Sequence, residues 1–125
     1  MKFWTSLALI AALAASANAG ATCSYPQAPG ALPDGATATK EEMIAAKNEI
    51  SRYNTEMNAY LDCLKLETDA ATPKDPAKLT AEEKKKATEQ QKALAQKNNA
   101  AVDELQAVVG KFNEQLKIFK AKQKS

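Results

Sequence analysis

The chain has 125 residues, of which 45% are hydrophobic and 26% charged, and it contains two cysteines and no histidine. Because histidine is the commonest general base and metal ligand, its absence excludes Ser-His-Asp and Cys-His catalytic arrangements within the chain. The 17 basic and 15 acidic residues nearly balance, which excludes the strongly basic composition typical of nucleic-acid-binding proteins. We therefore expect a protein that is not an enzyme and has no cofactor, no metal site and no nucleic-acid partner.

The first element in chain order is a predicted export signal. The chain begins with one cation at Lys2, continues with an apolar run from Phe3 to about Ala15, and then has the small residues Ala-Asn-Ala at positions 17–19. This order is typical of a secretory signal peptide, and the apolar run is too short to span a bilayer. We predict a signal peptide over residues 1–19, which leaves 106 residues (125 − 19) for one small periplasmic or secreted domain.

The second element, residues 20–39, is rich in proline and glycine and has the sequence GATCSYPQAPGALPDGATAT. Its prolines remove backbone hydrogen-bond donors and fix the φ angle, which disfavours a helix. The sequence Pro33-Asp34-Gly35 is typical of a turn. We predict an extended, proline-rich N-terminal arm with no helix over these residues.

The third element is a predicted helix over about residues 40–69. Thr39 precedes it as the N-cap, and Glu42 stands three residues later, as in a capping box. Apolar and small residues then recur at alternating spacings of three and four, which is the pattern of a coiled-coil seam. The seam consists of Met43, Ala46, Ile50, Tyr53, Met57, Tyr60 and Leu64.

The fourth element is a second predicted helix, over about residues 80–122, after a polar loop that contains Pro73 and Pro76. Thr80 and Glu83 form a second capping box. The helix is polar and rich in alanine and lysine through Lys92, so we expect its first turns to be weakly held. Its seam consists of Leu94, Ala101 or Val102, Leu105, Val108 or Val109, Phe112, Leu116 and Phe119.

These elements predict an all-α fold in which residues 40–125 form a long, antiparallel, coiled-coil-like helical hairpin. Pairing the residues symmetrically about the loop places Met57 near Lys92 and Met43 near Gln106. Residues 112–119 would then run past the start of the first helix. The arm, a different register or another subunit must cover their apolar side chains, because two helices alone bury little surface.

Two cysteines in an exported chain of this length indicate one disulfide, because exported proteins reach oxidising compartments. The arm can carry Cys23 back along the first helix to Cys63, since its extended chain reaches roughly 50 Å and the helix up to Cys63 is about 35 Å long. An intramolecular bond would staple the arm to the hairpin and contribute about 4 kcal/mol in the chain-entropy model. An intermolecular bond, free thiols and lipidation of Cys23 are the alternatives at this point.

The C-terminal sequence KFNEQLKIFKAKQKS combines cations with apolar residues on a predicted helix. Such an amphipathic cationic segment could attach to an anionic lipid surface or to another polyanion. Alternatively, the cations favour a helix C-terminus through the macrodipole, and the apolar residues dock internally. The candidate partner or membrane surface consists of Lys111, Phe112, Leu116, Lys117, Phe119, Lys120, Lys122 and Lys124.

Residues 23–39 read C-S-Y-P-x-A-P-x-x-L-P-D-G-A-T-A-T, and E-E-M and Y-L-D-C follow on the first predicted helix. In these motifs the chain resembles a family of small uncharacterised exported proteins of Gram-negative bacteria. The resemblance covers about residues 23–63 and implies a periplasmic or secreted helical protein with paired cysteines. It implies no enzymatic activity.

No motif in the sequence identifies a substrate or a partner. The acidic residues of the first helix recur at helical spacing and alternate with Lys47 and Arg52, as on a solvated face. We expect a periplasmic binding or chaperone-like adaptor module that holds an envelope protein partner on an exposed helix face. The alternatives are a self-associating structural or assembly protein of the cell envelope, and a protein attached to an anionic membrane through its basic C-terminal helix.

Overall fold

The computed structural model describes residues 22–125, so the predicted signal peptide and its cleavage site lie outside the described residues. The described chain contains two long α-helices that pack against each other, α1 (Lys40–Ala71) and α2 (Ala81–Gln123), and no strand. A single turn of 3-10 helix, Pro76–Lys78, lies between them. The predicted all-α fold class is confirmed. Neither α1 nor α2 combines the length and the apolar character that a membrane span requires.

Both helices begin with the capping boxes that the sequence predicts. The Thr39 hydroxyl accepts a hydrogen bond from the Glu42 backbone N–H at 3.2 Å, and the Glu42 carboxylate accepts one from the Thr39 backbone N–H at 2.7 Å. Thr80 and Glu83 make the same pair of bonds, at 3.2 Å and 2.8 Å. These hydrogen bonds favour the charged carboxylates and lower the pKa of both glutamates.

The predicted seam of α1 is confirmed residue by residue. All seven of its members are buried, and no other residue of α1 is: Met43, Ala46, Ile50, Tyr53, Met57, Tyr60 and Leu64. On α2, four predicted seam residues are buried: Leu94, Ala101, Phe112 and Phe119. Four more are partly buried and pack against them: Leu105, Val108, Val109 and Leu116. The heptad-like spacing therefore identifies the core-facing side of each helix.

The buried residues form two clusters along the helices. The cluster nearer the loop consists of Tyr53, Met57, Tyr60, Leu64, Leu94 and Ala101. The other consists of Ala38, Met43, Ala46, Ile50, Phe112 and Phe119. Ala38 precedes α1, and Leu32 packs against the same cluster. The end of α2 is therefore covered both by α1 and by the segment that precedes it.

The contacts between the helices are displaced from symmetric pairing about the loop. The Tyr53 hydroxyl donates a hydrogen bond to Glu104 Oε1 at 3.0 Å, whereas symmetric pairing would place Tyr53 opposite Gln96, eight residues earlier (104 − 96). A shift of about two helical turns brings Phe112 and Phe119 into one cluster with Met43. Burial of two phenylalanines favours this register.

Residues 22–39 contain no helix and no strand. The carbonyl of Asp34 accepts hydrogen bonds from the backbone N–H groups of Thr37 and Ala38, at 3.1 Å and 2.7 Å, which forms a turn next to the predicted Pro33-Asp34-Gly35 position. Gly35 is buried against α2, and its N–H donates to Gln115 Oε1 at 2.8 Å. A side chain at this position would clash with the Gln115 backbone carbonyl, so the close approach requires glycine.

Candidate functional site

A disulfide joins Cys23 to Cys63, with 5.6 Å between their Cα atoms and 40 residues between them in sequence. The predicted intramolecular pairing is thereby confirmed, and neither cysteine is free. Because the Cys23 sulfur is bonded to Cys63, it cannot carry a lipid thioether in this state. The bond is consistent with an oxidising, exported environment.

The same two cysteines belong to a cluster of three residues whose types can bind metal ions. Ligand atoms of Cys23, Cys63 and Glu67 lie within 4.8 Å of one another. Metal ions bind cysteine as the thiolate, and a disulfide offers none. In the oxidised protein the two cysteines of this cluster therefore form a covalent link between residues 22–39 and α1.

A bridge of two tyrosines and one glutamate lies beside the disulfide. The Tyr25 hydroxyl donates to Glu104 Oε2 at 2.6 Å, and the Tyr53 hydroxyl donates to Glu104 Oε1 at 3.0 Å. The Tyr25 ring also meets the edge of Tyr60, with 4.9 Å between ring centroids. One carboxylate of α2 thus binds both α1 and the segment that precedes it. We call Tyr25, Tyr53 and Glu104 the tyrosine–glutamate bridge.

The electrostatics of the bridge oppose ionisation of its tyrosines. Burial of the hydroxyl end and the hydrogen bond to the negative Glu104 carboxylate raise the pKa of Tyr25, although its ring remains partly exposed. The same two causes raise the pKa of Tyr53. Both tyrosines therefore stay protonated at neutral pH, where they act as hydrogen-bond donors. Sequence reasoning placed Tyr53 in the seam but missed Glu104, which is marked only by its position beside the seam residue Leu105.

The structure separates the apolar residues of the predicted C-terminal surface from its lysines. Phe112 and Phe119 are 5% and 8% exposed and belong to the core, and Leu116 packs against them. The lysines of the surface all lie on the outside: Lys111, Lys117, Lys120, Lys122 and Lys124. A partner at this surface would therefore meet cations rather than the two phenylalanines.

A second surface lies where α1 ends and α2 begins. Leu66 is 70% exposed, more than any other large hydrophobic residue that the structure describes. It borders an open groove lined by Thr22, Cys63, Leu66, Glu67, Ala70, Ala71 and Gln90. We call this groove the loop-end surface. Sequence reasoning missed Leu66; the available signal was its position two residues after Leu64, off the seam of α1.

The first turns of α2, next to the loop-end surface, are exposed. The first buried residue of α2 is Leu94, so residues 81–93 contribute none to the core. Their sequence, AEEKKKATEQQKA, has no large apolar side chain. Ala87 and Gln91 are half-buried, and the Gln91 side chain donates a hydrogen bond to the Thr72 hydroxyl at 3.4 Å, whereas the other side chains of these turns are exposed.

Comparisons of the chain with protein-family models, with curated proteins and with solved structures found no match. No relative therefore assigns a role to the loop-end surface or to the C-terminal lysines.

Proposed function

We propose that the protein is a non-enzymatic, exported binding or chaperone-like adaptor module that holds an envelope protein partner at its loop-end surface. The observation that carries this proposal is the exposure of Leu66 beside the first turns of α2, which contain no buried residue before Leu94. Burying one leucine side chain is favourable by about 1.5–3 kcal/mol, so a partner that covers Leu66 gains a contribution of this size.

The fold that supports this role is an antiparallel, coiled-coil-like hairpin, with the proline-rich arm laid across it and stapled by the disulfide. Two hydrogen bonds support the antiparallel direction: Gln91 of α2 donates to Thr72, which follows α1, and Tyr53, earlier in α1, reaches Glu104, later in α2. Two links support the arm: Cys23 is bonded to α1, and Gly35 is hydrogen-bonded to α2. In the hairpin that we propose, the loop-end surface lies at one tip of the molecule.

Site-specific photo-crosslinking in cells would test the proposal. A benzophenone amino acid is placed at Leu66 and, as a matched control, at Ile44, which is 49% exposed near the start of α1. We expect one discrete protein adduct from position 66, absent from position 44 and weakened when Ala70→Glu is combined with it. Equal adducts from both positions, or none from position 66, would contradict the proposal.

Self-association in the envelope is the second candidate, and the charge distribution favours it. Residues 40–70 carry four basic and seven acidic residues (4 − 7 = −3), whereas residues 111–125 carry five basic and one acidic (5 − 1 = +4). The acidic surface of α1 in one copy would therefore attract the basic C-terminal segment of another. Sedimentation velocity of the exported protein over a range of concentrations distinguishes the candidates, because a concentration-independent monomer contradicts self-association.

A further inference from the structure

The C-terminal part of α2 presents a line of lysines that have no acidic partner. Lys117, Lys120 and Lys124 follow one another at spacings of three and four, so they lie on one side of the helix over about 10 Å. Together with Asn113 they line one shallow groove. Within residues 22–125, none of the three takes part in an ion pair. We call Asn113, Lys117, Lys120 and Lys124 the lysine stripe.

Packing fixes the direction in which the lysine stripe faces. Phe112 and Phe119 are buried on the core-facing side of α2, and Gln115 accepts a hydrogen bond from the Gly35 N–H at 2.8 Å. These contacts prevent rotation of α2 about its axis. The stripe is therefore held on the outer surface, so binding requires little rearrangement.

The composition of this end favours an anionic lipid surface. All five cations of residues 111–125 are lysines. Clusters of about four to eight cations on an amphipathic helix are typical of segments that bind anionic lipid headgroups, because each cation is attracted by the negative surface potential of the bilayer.

We propose that the lysine stripe docks the protein onto an anionic lipid bilayer, with the ammonium groups contacting lipid phosphates. The attachment is peripheral and electrostatic, because Phe112 and Phe119 belong to the core and do not insert. Gln90, in the loop-end surface, lies about 40 Å along α2 from Lys117. The loop-end surface and the lysine stripe are therefore separate, so variants of one can be tested without changing the other.

Vesicle co-sedimentation of the exported, oxidised protein tests this proposal. The probes are phosphatidylglycerol vesicles and, for comparison, zwitterionic phosphatidylcholine vesicles, each at low and at high salt. We expect binding to phosphatidylglycerol vesicles alone, and we expect it to weaken as salt screens the charges. The variant Lys117→Gln/Lys120→Gln/Lys124→Gln should lose affinity on the order of a hundredfold, from the contribution of each lysine near an anionic surface.

The matched control removes the same charge from another part of α2. In Lys84→Gln/Lys85→Gln/Lys86→Gln, three exposed lysines of the first turns are replaced. We expect less than about a threefold loss, because these lysines lie more than about 40 Å along α2 from the stripe and the attraction to an anionic surface falls off within a Debye length. Circular dichroism checks that both variants remain helical. Equal losses in the two variants would overturn the proposal, as would no binding of the unchanged protein to phosphatidylglycerol vesicles. Self-association that is lost only in the stripe variant would instead identify a second copy as the partner of the stripe.

Discussion

The two parts of α2 are held in different ways, although both are rich in alanine, lysine and glutamine. Residues 81–93 contribute no buried side chain, whereas residues 94–119 contribute Leu94, Ala101, Phe112 and Phe119 to the core. The first part is held by its capping box, by helix propensity and by one hydrogen bond from Gln91 to Thr72, and the second by burial against α1 and residues 22–39. Capping therefore sets where a helix begins, but packing determines which of its turns are firmly held.

The largest expected effect comes from removing a core residue of the second part. Phe112→Ala leaves a cavity in the cluster that contains Phe119 and Met43, and should lower the free energy of unfolding by about 3–5 kcal/mol. Ala87→Gly, in the first part, should cost only about 1 kcal/mol through helix propensity. Urea denaturation followed by circular dichroism measures both variants. Similar losses would show that the two parts of α2 are equally held.

The disulfide should have the next largest effect. Replacing both cysteines, as Cys23→Ser/Cys63→Ser, should lower the free energy of unfolding by about 2–4 kcal/mol, because the bond restrains a 40-residue separation in the unfolded chain. Residues 22–39 should also become sensitive to limited proteolysis, since they contain no helix or strand of their own. A reducing agent should destabilise the unchanged protein and leave the double variant unaffected. Unchanged protease resistance in the variant would contradict a stapling role for the bond.

Two glycine substitutions provide a smaller and sharper comparison. Gly35→Ala should lower the free energy of unfolding by about 1–3 kcal/mol, because its methyl group meets the Gln115 backbone carbonyl. Gly110→Ala should raise the free energy of unfolding by up to about 1 kcal/mol, because Gly110 lies within α2 and an added methyl group would contact no other atom. Thermal denaturation of the two variants gives the signs directly. A stabilising Gly35→Ala would mean that residues 22–39 are not packed against α2 as described.

Alkaline pH should produce the smallest effect. The pKa values of Tyr25 and Tyr53 are raised in the folded protein, so their contribution to stability is complete below about pH 10, the ordinary tyrosine pKa, and is lost as the pH rises above it. Tyr25 is 47% exposed, so solvent screening limits its share to less than about 1 kcal/mol. The free energy of unfolding, measured at pH 8 and pH 11, should fall less in Tyr25→Phe/Tyr53→Phe than in the unchanged protein. Equal falls in the variant and the unchanged protein would show that the tyrosine–glutamate bridge is not the source of the loss of stability at alkaline pH.

The features that the sequence predicts correctly depend on neighbours along the chain. Thr39 and Glu42 are three residues apart, so their capping box can be read directly, and the seam of α1 follows from spacings of three and four. The disulfide was predictable because only two cysteines are present.

The features that the sequence does not predict depend on contacts between residues that are far apart along the chain. The register between the helices follows from the burial of Phe112 and Phe119, which outweighs symmetry about the loop. The role of Glu104 depends on two tyrosines that are 51 and 79 residues away in sequence. Leu66 is exposed because nothing in the described chain covers it. Each of these requires the three-dimensional arrangement before it can be recognised.

Residue-resolved hydrogen exchange along α2 tests the difference between its two parts most directly. Because residues 81–93 lack buried side chains, their amides should exchange through local opening, with rates close to those of an isolated helix. Amides of residues 94–119 should exchange only through much larger opening, with protection that approaches the free energy of global unfolding. Uniform protection from Ala81 to Phe119 would contradict the account, since it would show that the first turns of α2 are held as firmly as the core.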